Sequence, residues 1–123
     1  MMRFGDVQLQ AAGHVTVVEL QRPPYNFFDA ALVGAIADAL EHLDGVDDCR
    51  AVVLAAQGKA FSAGADFHAD TGKALFEDDP EHGAGDLYRH AVRLFRTRKP
   101  IVAAVQGPAV GGGLGMALAA DFR

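Results

Sequence analysis

The chain has 123 residues, 50% of them hydrophobic and 22% charged, with 14 glycines, one cysteine and a formal net charge of −5. That apolar content excludes intrinsic disorder, and a chain of this length buries roughly two thirds of its unfolded surface, enough for one core. The acidic balance argues against a nucleic-acid partner. Lone Cys49 excludes an internal disulfide and a cysteine metal cluster, and it fits a reducing cytoplasm. Residues Met1 to Asp6 carry no apolar run of the signal-peptide kind.

Val7, Leu9 and Ala11 alternate with polar neighbours, and Val15, Val17, Val18 and Leu20 follow Gly13-His14. This predicts a two-stranded hairpin, which Pro23-Pro24 ends. Asp29 is the predicted N-cap of a helix with Leu32, Val33, Ile36, Leu40 and Leu43 at helical spacing, stopped at Asp44-Gly45. Ala51 to Ala55 reads as a strand covered on both faces, and the loop from Gln57 to Ala65 follows. From Thr71 to Gly85 the pattern dissolves, as in a surface loop. Asp86 is expected to cap a second amphipathic helix, with Leu87, Ala91, Leu94 and Phe95 inward and Arg89, Arg93 and Arg96 outward.

After Pro100 comes a predicted strand, Ile101 to Val105, then a glycine-rich loop and an apolar helix from Leu114 to Ala120. The stretch Ile101 to Ala120 has the length of a membrane span, about 20 residues. Its Gly-Pro and Gly-Gly-Gly fit strand, loop and helix better, and no membrane partner is expected. Strands alternating with helices and no linker between them imply one α/β domain.

Two loops leave the two buried strands: Lys59-Ala60-Phe61-Ser62-Ala63-Gly64-Ala65-Asp66-Phe67, and Val105 to Met116 with Gly107, Gly111, Gly112, Gly113 and Gly115. Ligands in open α/β sheets gather at the carboxyl ends of strands. Consecutive glycines at a helix start leave backbone N–H groups bare in the positive field of the helix dipole, a place for an anion or a developing oxyanion. A phosphate-binding Gly-Lys-Ser/Thr ending is absent, and neither Gly111 nor Gly113 starts a dinucleotide fingerprint. The bland alternative is that Gly111 to Gly113 only permits close helix packing. Asp66, His68 and Asp70 share one face only of a strand, whereas this stretch should open a helix, so no metal site is expected. Ser62 lacks the Gly-x-Ser-x-Gly elbow of a serine hydrolase.

Taken in order, Phe-Ser-Ala-Gly-Ala-Asp-Phe after one strand and Val-Gln-Gly-Pro-Ala-Val-Gly-Gly-Gly-Leu-Gly after the next resemble the crotonase (enoyl-CoA hydratase/isomerase) family. Leu20-Gln21-Arg22-Pro23 with Asn26, Arg98 to Val105, and Ala120 to Arg123 support the resemblance. It implies a crotonase-like ββα superhelix, with residues 1–123 as the N-terminal part of a single, truncated domain. It further implies an enzyme, lyase or isomerase, whose substrate is a coenzyme A thioester and which needs no other cofactor. The backbone N–H groups of Ala65 and Gly112 would form the oxyanion hole. Arg22, Ala63, Gly64, Ala65, Asp66, Phe67, His68, Gly111 and Gly112 would contact the acyl-CoA, with Arg22 near the adenine end.

The family's first catalytic glutamate falls on Gly115, and its second lies past Arg123. The missing first glutamate fits relatives that work with one acid, such as enoyl-CoA isomerases, and also the dehalogenase-like subgroup, which carries a glycine at that place. Glu77, Glu81, His82 and His90 are the other candidate proton carriers, with surface solvation as their plainer role. The alternative reading is a catalytically silent acyl-CoA-binding or scaffold fragment. The resemblance also implies a cytoplasmic protein of fatty acid metabolism that assembles as a homo-oligomer, a trimer or hexamer. The apolar surface of the last helix is expected to need cover from a second copy or from further chain.

Overall fold

The structure is a computed structural model that describes residues 2–65 and 84–123. In chain order it contains β1 (Met2–Phe4), β2 (Val7–Ala12), β3 (Val15–Leu20), α1 (Ala30–Asp44), β4 (Ala51–Ala56), α2 (Ala84–Leu94), β5 (Ile101–Ala103) and α3 (Gly112–Ala119). The strands form one sheet in the order β1-β2-β3-β4-β5. β1, β2 and β3 pair antiparallel, and β3, β4 and β5 pair parallel, so α1 and α2 lie in the crossovers that parallel pairing requires.

The predicted hairpin is β2–β3, with Leu9 opposite Val18 and Gly13 at φ 64° in its turn. β1 extends it by three residues, too few to show an alternation in the sequence. α1 starts where expected: Asp29 is extended, and its carboxylate accepts from the Leu32 N–H at 2.9 Å. The N–H of Gly45 closes the other end on His42 O.

One sheet face supplies Val7, Leu9, Val18, Leu20, Val52, Leu54, Ile101 and Ala103 to the core. α1 supplies Leu32, Val33, Ile36, Leu40 and Leu43, and α3 adds Met116 and Ala117. Each such Val, Leu, Ile or Met contributes about 1.5–3 kcal/mol when fully buried.

Four expectations are corrected. β4 is fully covered on one face only: Val52 and Leu54 are buried while Ala51, Val53 and Ala55 are half-buried, because α1 packs on a single side. β5 ends at Ala103 rather than Val105. The Ala104 N–H still reaches Leu54 O, but the chain then turns into the loop and leaves Val105 exposed. α2 begins at Ala84, so Asp86 sits in its first turn, paired with Arg89, instead of capping it. Finally, α2 stops at Leu94, and Phe95, which leaves the helical register in a turn closed on Val92 O, is 68% exposed.

Arg93 also departs from the outward reading. Its guanidinium reaches across to α1, at 2.5 Å from Asp38 and 2.6 Å from Glu41. The hydrogen bond from Arg93 holds the Glu41 carboxyl below its ordinary range. Between the same helices, Gly34 lets the His90 ring approach closely, where a Cβ would meet Nε2 at 3.1 Å. Leu114 and Leu118 on α3 are both about half exposed. Among the described residues, no helix is long and apolar enough to cross a membrane.

Candidate active site

The two glycine-bearing loops are bolted together at the carboxyl ends of β4 and β5. Backbone N–H groups of Phe61 and Ser62 donate to Pro108 O, and the Val110 N–H returns to Ser62 O at 3.0 Å. The Gln106 side-chain amide lies along the first loop and donates to Ala56 O, Gly58 O and Ala60 O. Contact is so close that a Cβ at Gly107 would stand 2.3 Å from Lys59 O, and one at Gly113 would stand 2.2 Å from Ser62 O. Those two glycines are steric requirements of the junction.

The first loop is anchored from beneath by Asn26, which is fully buried at φ 48°. Its amide donates to Gln57 O at 2.6 Å and Ala60 O at 2.9 Å, while its Oδ1 accepts from the Arg22 N–H. The hydroxyl of buried Ser62 donates to Asn26 O at 2.8 Å and accepts from the Gly64 N–H. The Ala63 N–H donates to Tyr25 O, and Gly64 O accepts from the Phe28 N–H. Two segments 30 to 40 residues apart therefore fix the course of Ala63-Gly64-Ala65.

The predicted site residues fall as follows. Gly111 takes φ 56° as the residue before α3, and Gly112 is the first residue of that helix. Among the described residues, neither the Ala65 N–H nor the Gly112 N–H donates to a backbone carbonyl. For Gly112 this is the ordinary state of a helix N-terminus. A Cβ at Gly64 would lie 4.0 Å from the Phe28 ring, and one at Gly112 would lie 2.2 Å from it, so this one ring adjoins both glycines. Ala63, Gly64, Ala65, Gly111 and Gly112 thus converge. Asp66, Phe67 and His68 lie outside the described residues, as do Asp70, Glu77, Glu81 and His82.

Arg22 is engaged elsewhere: Nε binds Asp6 at 2.6 Å, and Nη1 reaches Asp29 at 3.0 Å and Phe27 O at 3.2 Å. Burial opposes its charge, but the two carboxylates outweigh that and raise its pKa. His90 turns away from the glycine loops, with Nδ1 2.8 Å from the Arg93 guanidinium. It lines a separate hollow with Gly34 and Asp38.

Beside Gly112 opens a cavity of about 570 Å³, with Phe28, Tyr88, Phe95, Gly112, Gly115 and Met116 in its wall. Its other described lining residues are apolar or glycine. Sequence reasoning missed Phe28 as a wall. The available signal was a hydrophobic staple: Phe28 precedes the Asp29 cap and Val33 follows four residues later, and both line the cavity. No carboxylate belongs to the described lining, and a Cβ at Gly115 would meet nothing within 4 Å among the described residues.

The enoyl-CoA hydratase/isomerase family model matches residues 10–123. A Thermus thermophilus chain bearing an enoyl-CoA hydratase name is 44% identical over 89% of this chain and 44% of its own length. The 4-chlorobenzoyl coenzyme A dehalogenase-2 of Arthrobacter is 37% identical over 94% of this chain and 43% of its own. Among solved structures, the enoyl-CoA hydratase of Bacillus anthracis superposes with a TM-score of 0.82 at 29% identity, covering 96% of this chain and 46% of that one. This chain belongs to the enoyl-CoA hydratase/isomerase family and has its crotonase fold. It spans a little under half the length of the curated relatives it matches.

Proposed function

We propose that this protein binds an acyl-CoA thioester and stabilises the enolate formed from it, with the thioester carbonyl held by the N–H groups of Ala65 and Gly112. The observation that carries the reading is the pair of backbone donors without a carbonyl partner among the described residues, on two mutually braced loops beside an apolar cavity. As a proton leaves the carbon next to the thioester, negative charge collects on the carbonyl oxygen. Donors already in place stabilise that charge without reorganising, and each is worth about 3–4 kcal/mol of barrier. The dipole of α3 adds to the second donor. The acyl group enters the cavity, and the CoA arm runs along Ala63 to Ala65 and on through Asp66, Phe67 and His68. Arg22 enters as the residue that shapes the turn beneath that arm, its guanidinium being committed to Asp6 and Asp29.

A second reading, thioester binding without turnover, is favoured by one observation: Gly115 stands where the resemblance places the first acid, and the described lining holds no carboxylate. Measuring crotonyl-CoA hydration beside CoA-thioester affinity separates the two. Gly112→Val puts branched bulk where even a Cβ meets the Phe28 ring at 2.2 Å. It is expected to cut turnover about 100- to 1000-fold, the scale of losing one oxyanion donor. Near-normal activity in that variant refutes the oxyanion assignment. Affinity without turnover in the unaltered protein selects the second reading.

A further inference from the structure

We infer that Ser62 is the positioning residue of the first oxyanion donor: its buried hydroxyl fastens the Gly64 N–H and leaves the next one, on Ala65, for the ligand; this rests on the thioester reading above. The backbone donors of this loop can be followed one by one. Lys59 and Ala60 donate to Pro24 O, Phe61 and Ser62 to Pro108 O, and Ala63 to Tyr25 O. The Gly64 N–H reaches no backbone carbonyl among the described residues and donates instead to Ser62 Oγ at 3.3 Å. Ala65 is the first residue of this series whose N–H has no such partner among the described residues.

The hydroxyl is itself fixed. Ser62 is fully buried, its one proton is committed to Asn26 O at 2.8 Å, and its lone pairs are left for the Gly64 N–H. On the other side of Gly64, the Phe28 N–H holds Gly64 O at 3.0 Å. Across a planar trans peptide the C=O and the N–H point opposite ways, so this bond directs the Ala65 N–H away from the Phe28 main chain. Gly64 stands at φ 91° and has no side chain to resist turning. Its two flanking peptides are held by these two bonds, and the one from Ser62 is the one a side chain makes. Burying a hydroxyl carries a desolvation cost that alanine avoids, and what it secures here is a single loop N–H beside the donor. Ser62 O separately accepts from the Val110 N–H and braces the second loop, so losing the hydroxyl leaves that brace in place.

The test is calorimetric titration of the purified protein with butanoyl-CoA and with the thioether butyl-CoA, which lacks the carbonyl, repeated for Ser62→Ala and Ser62→Cys. Difference infrared spectra of butanoyl-CoA with an isotope-labelled carbonyl record its stretch on binding. The unaltered protein is expected to bind butanoyl-CoA about ten-fold more tightly than butyl-CoA, the scale of one to two hydrogen bonds, and to lower the stretch. Ser62→Ala reduces that ratio by about three-fold or more and loses part of the lowering, while its affinity for butyl-CoA is unchanged. Ser62→Cys keeps the volume and hydrogen-bonds only weakly, so its ratio is also reduced, and it decides the matter where Ser62→Ala does not fold. An undiminished ratio and stretch in a folded variant, or an equal loss of affinity for both ligands, overturns the positioning role while the thioester reading stands. No preference for the thioester and no lowering of the stretch in the unaltered protein overturns both.

Discussion

Asn26 is the residue on which the site's geometry depends most, and its removal has a calculable cost. In Asn26→Ala three side-chain hydrogen bonds go, to Gln57 O, to Ala60 O and from the Arg22 N–H. Ala60 O keeps a partner in the Gln106 amide at 3.0 Å, so the Arg22 N–H and Gln57 O carry the damage. Each buried group left unsatisfied costs about 1–3 kcal/mol. Holding alanine at φ 48° adds about 1–2 kcal/mol, a conformation asparagine tolerates better. The terms span about 3–8 kcal/mol. Because both orphaned groups are only part-buried, the lower part, about 3–5 kcal/mol, is expected, a large share of the 5–15 kcal/mol typical of a folded domain. In a domain of this size it corresponds to a Tm lower by roughly 10–20 °C.

Urea denaturation reads this as a lower midpoint at unchanged slope. Asn26→Gly accepts the same backbone angle without a Cβ, although glycine's freer unfolded chain offsets part of that gain. It is expected to be milder than Asn26→Ala by about 0.5–1 kcal/mol. Loss of less than about 1 kcal/mol in Asn26→Ala, or no difference between the two variants, refutes the account. Because the Ser62 hydroxyl hangs on Asn26 O, thioester affinity should fall together with stability.

Gly113→Ala and Gly115→Ala should move stability in opposite directions. The first drives a Cβ to 2.2 Å from Ser62 O, a backbone atom that cannot turn aside, and should cost at least about 1–3 kcal/mol. The second meets nothing within 4 Å among the described residues and should stabilise the helix by up to about 1 kcal/mol, with thermal melts reporting both. Arg93→Ala should loosen α2 from α1 by about 1 kcal/mol, the scale of exposed ion pairs. Arg93 lowers the Glu41 pKa from its ordinary 4.5, so the stabilisation is present above that value and is lost as pH falls through the lowered one. Urea midpoints of the two proteins should therefore differ at pH 7 and converge on the acid side of 4.5. A gap that persists there refutes the pairing.

What the sequence made legible was local. Alternation across Val7 to Leu20 and a cap at Asp29 act over a few residues, and both appear as read. α2 was misjudged at both ends because its limits carry no local mark: no proline or glycine follows Leu94 before Pro100, and Phe95 looks like one more inward position. β4 is an apolar run whose second face has only half-buried residues, and composition cannot say what lies over a face. The glycine loops were visible as spacings. The ties that give them shape, Asn26 to Ala60, Ser62 to Val110 and Gln106 to Ala56, join positions far apart in the chain. No periodicity connects such partners.

The glycines from Gly107 to Gly115 look alike as letters and differ as physics. Gly107 and Gly113 are forced, since a Cβ at either strikes the backbone of the first loop. A Cβ at Gly111 meets nothing within 4 Å among the described residues, and its φ of 56° is what requires glycine there. Gly112 faces the Phe28 ring at a distance only a hydrogen can occupy, and its N–H donates to no backbone carbonyl among the described residues. Gly115 has neither a clash among the described residues nor a left-handed angle to explain it. The fold accounts for four of the five, and the fifth borders the cavity. Substitutions at 115, on the cavity wall, should therefore alter ligand binding first, while those at 107 and 113 alter stability first.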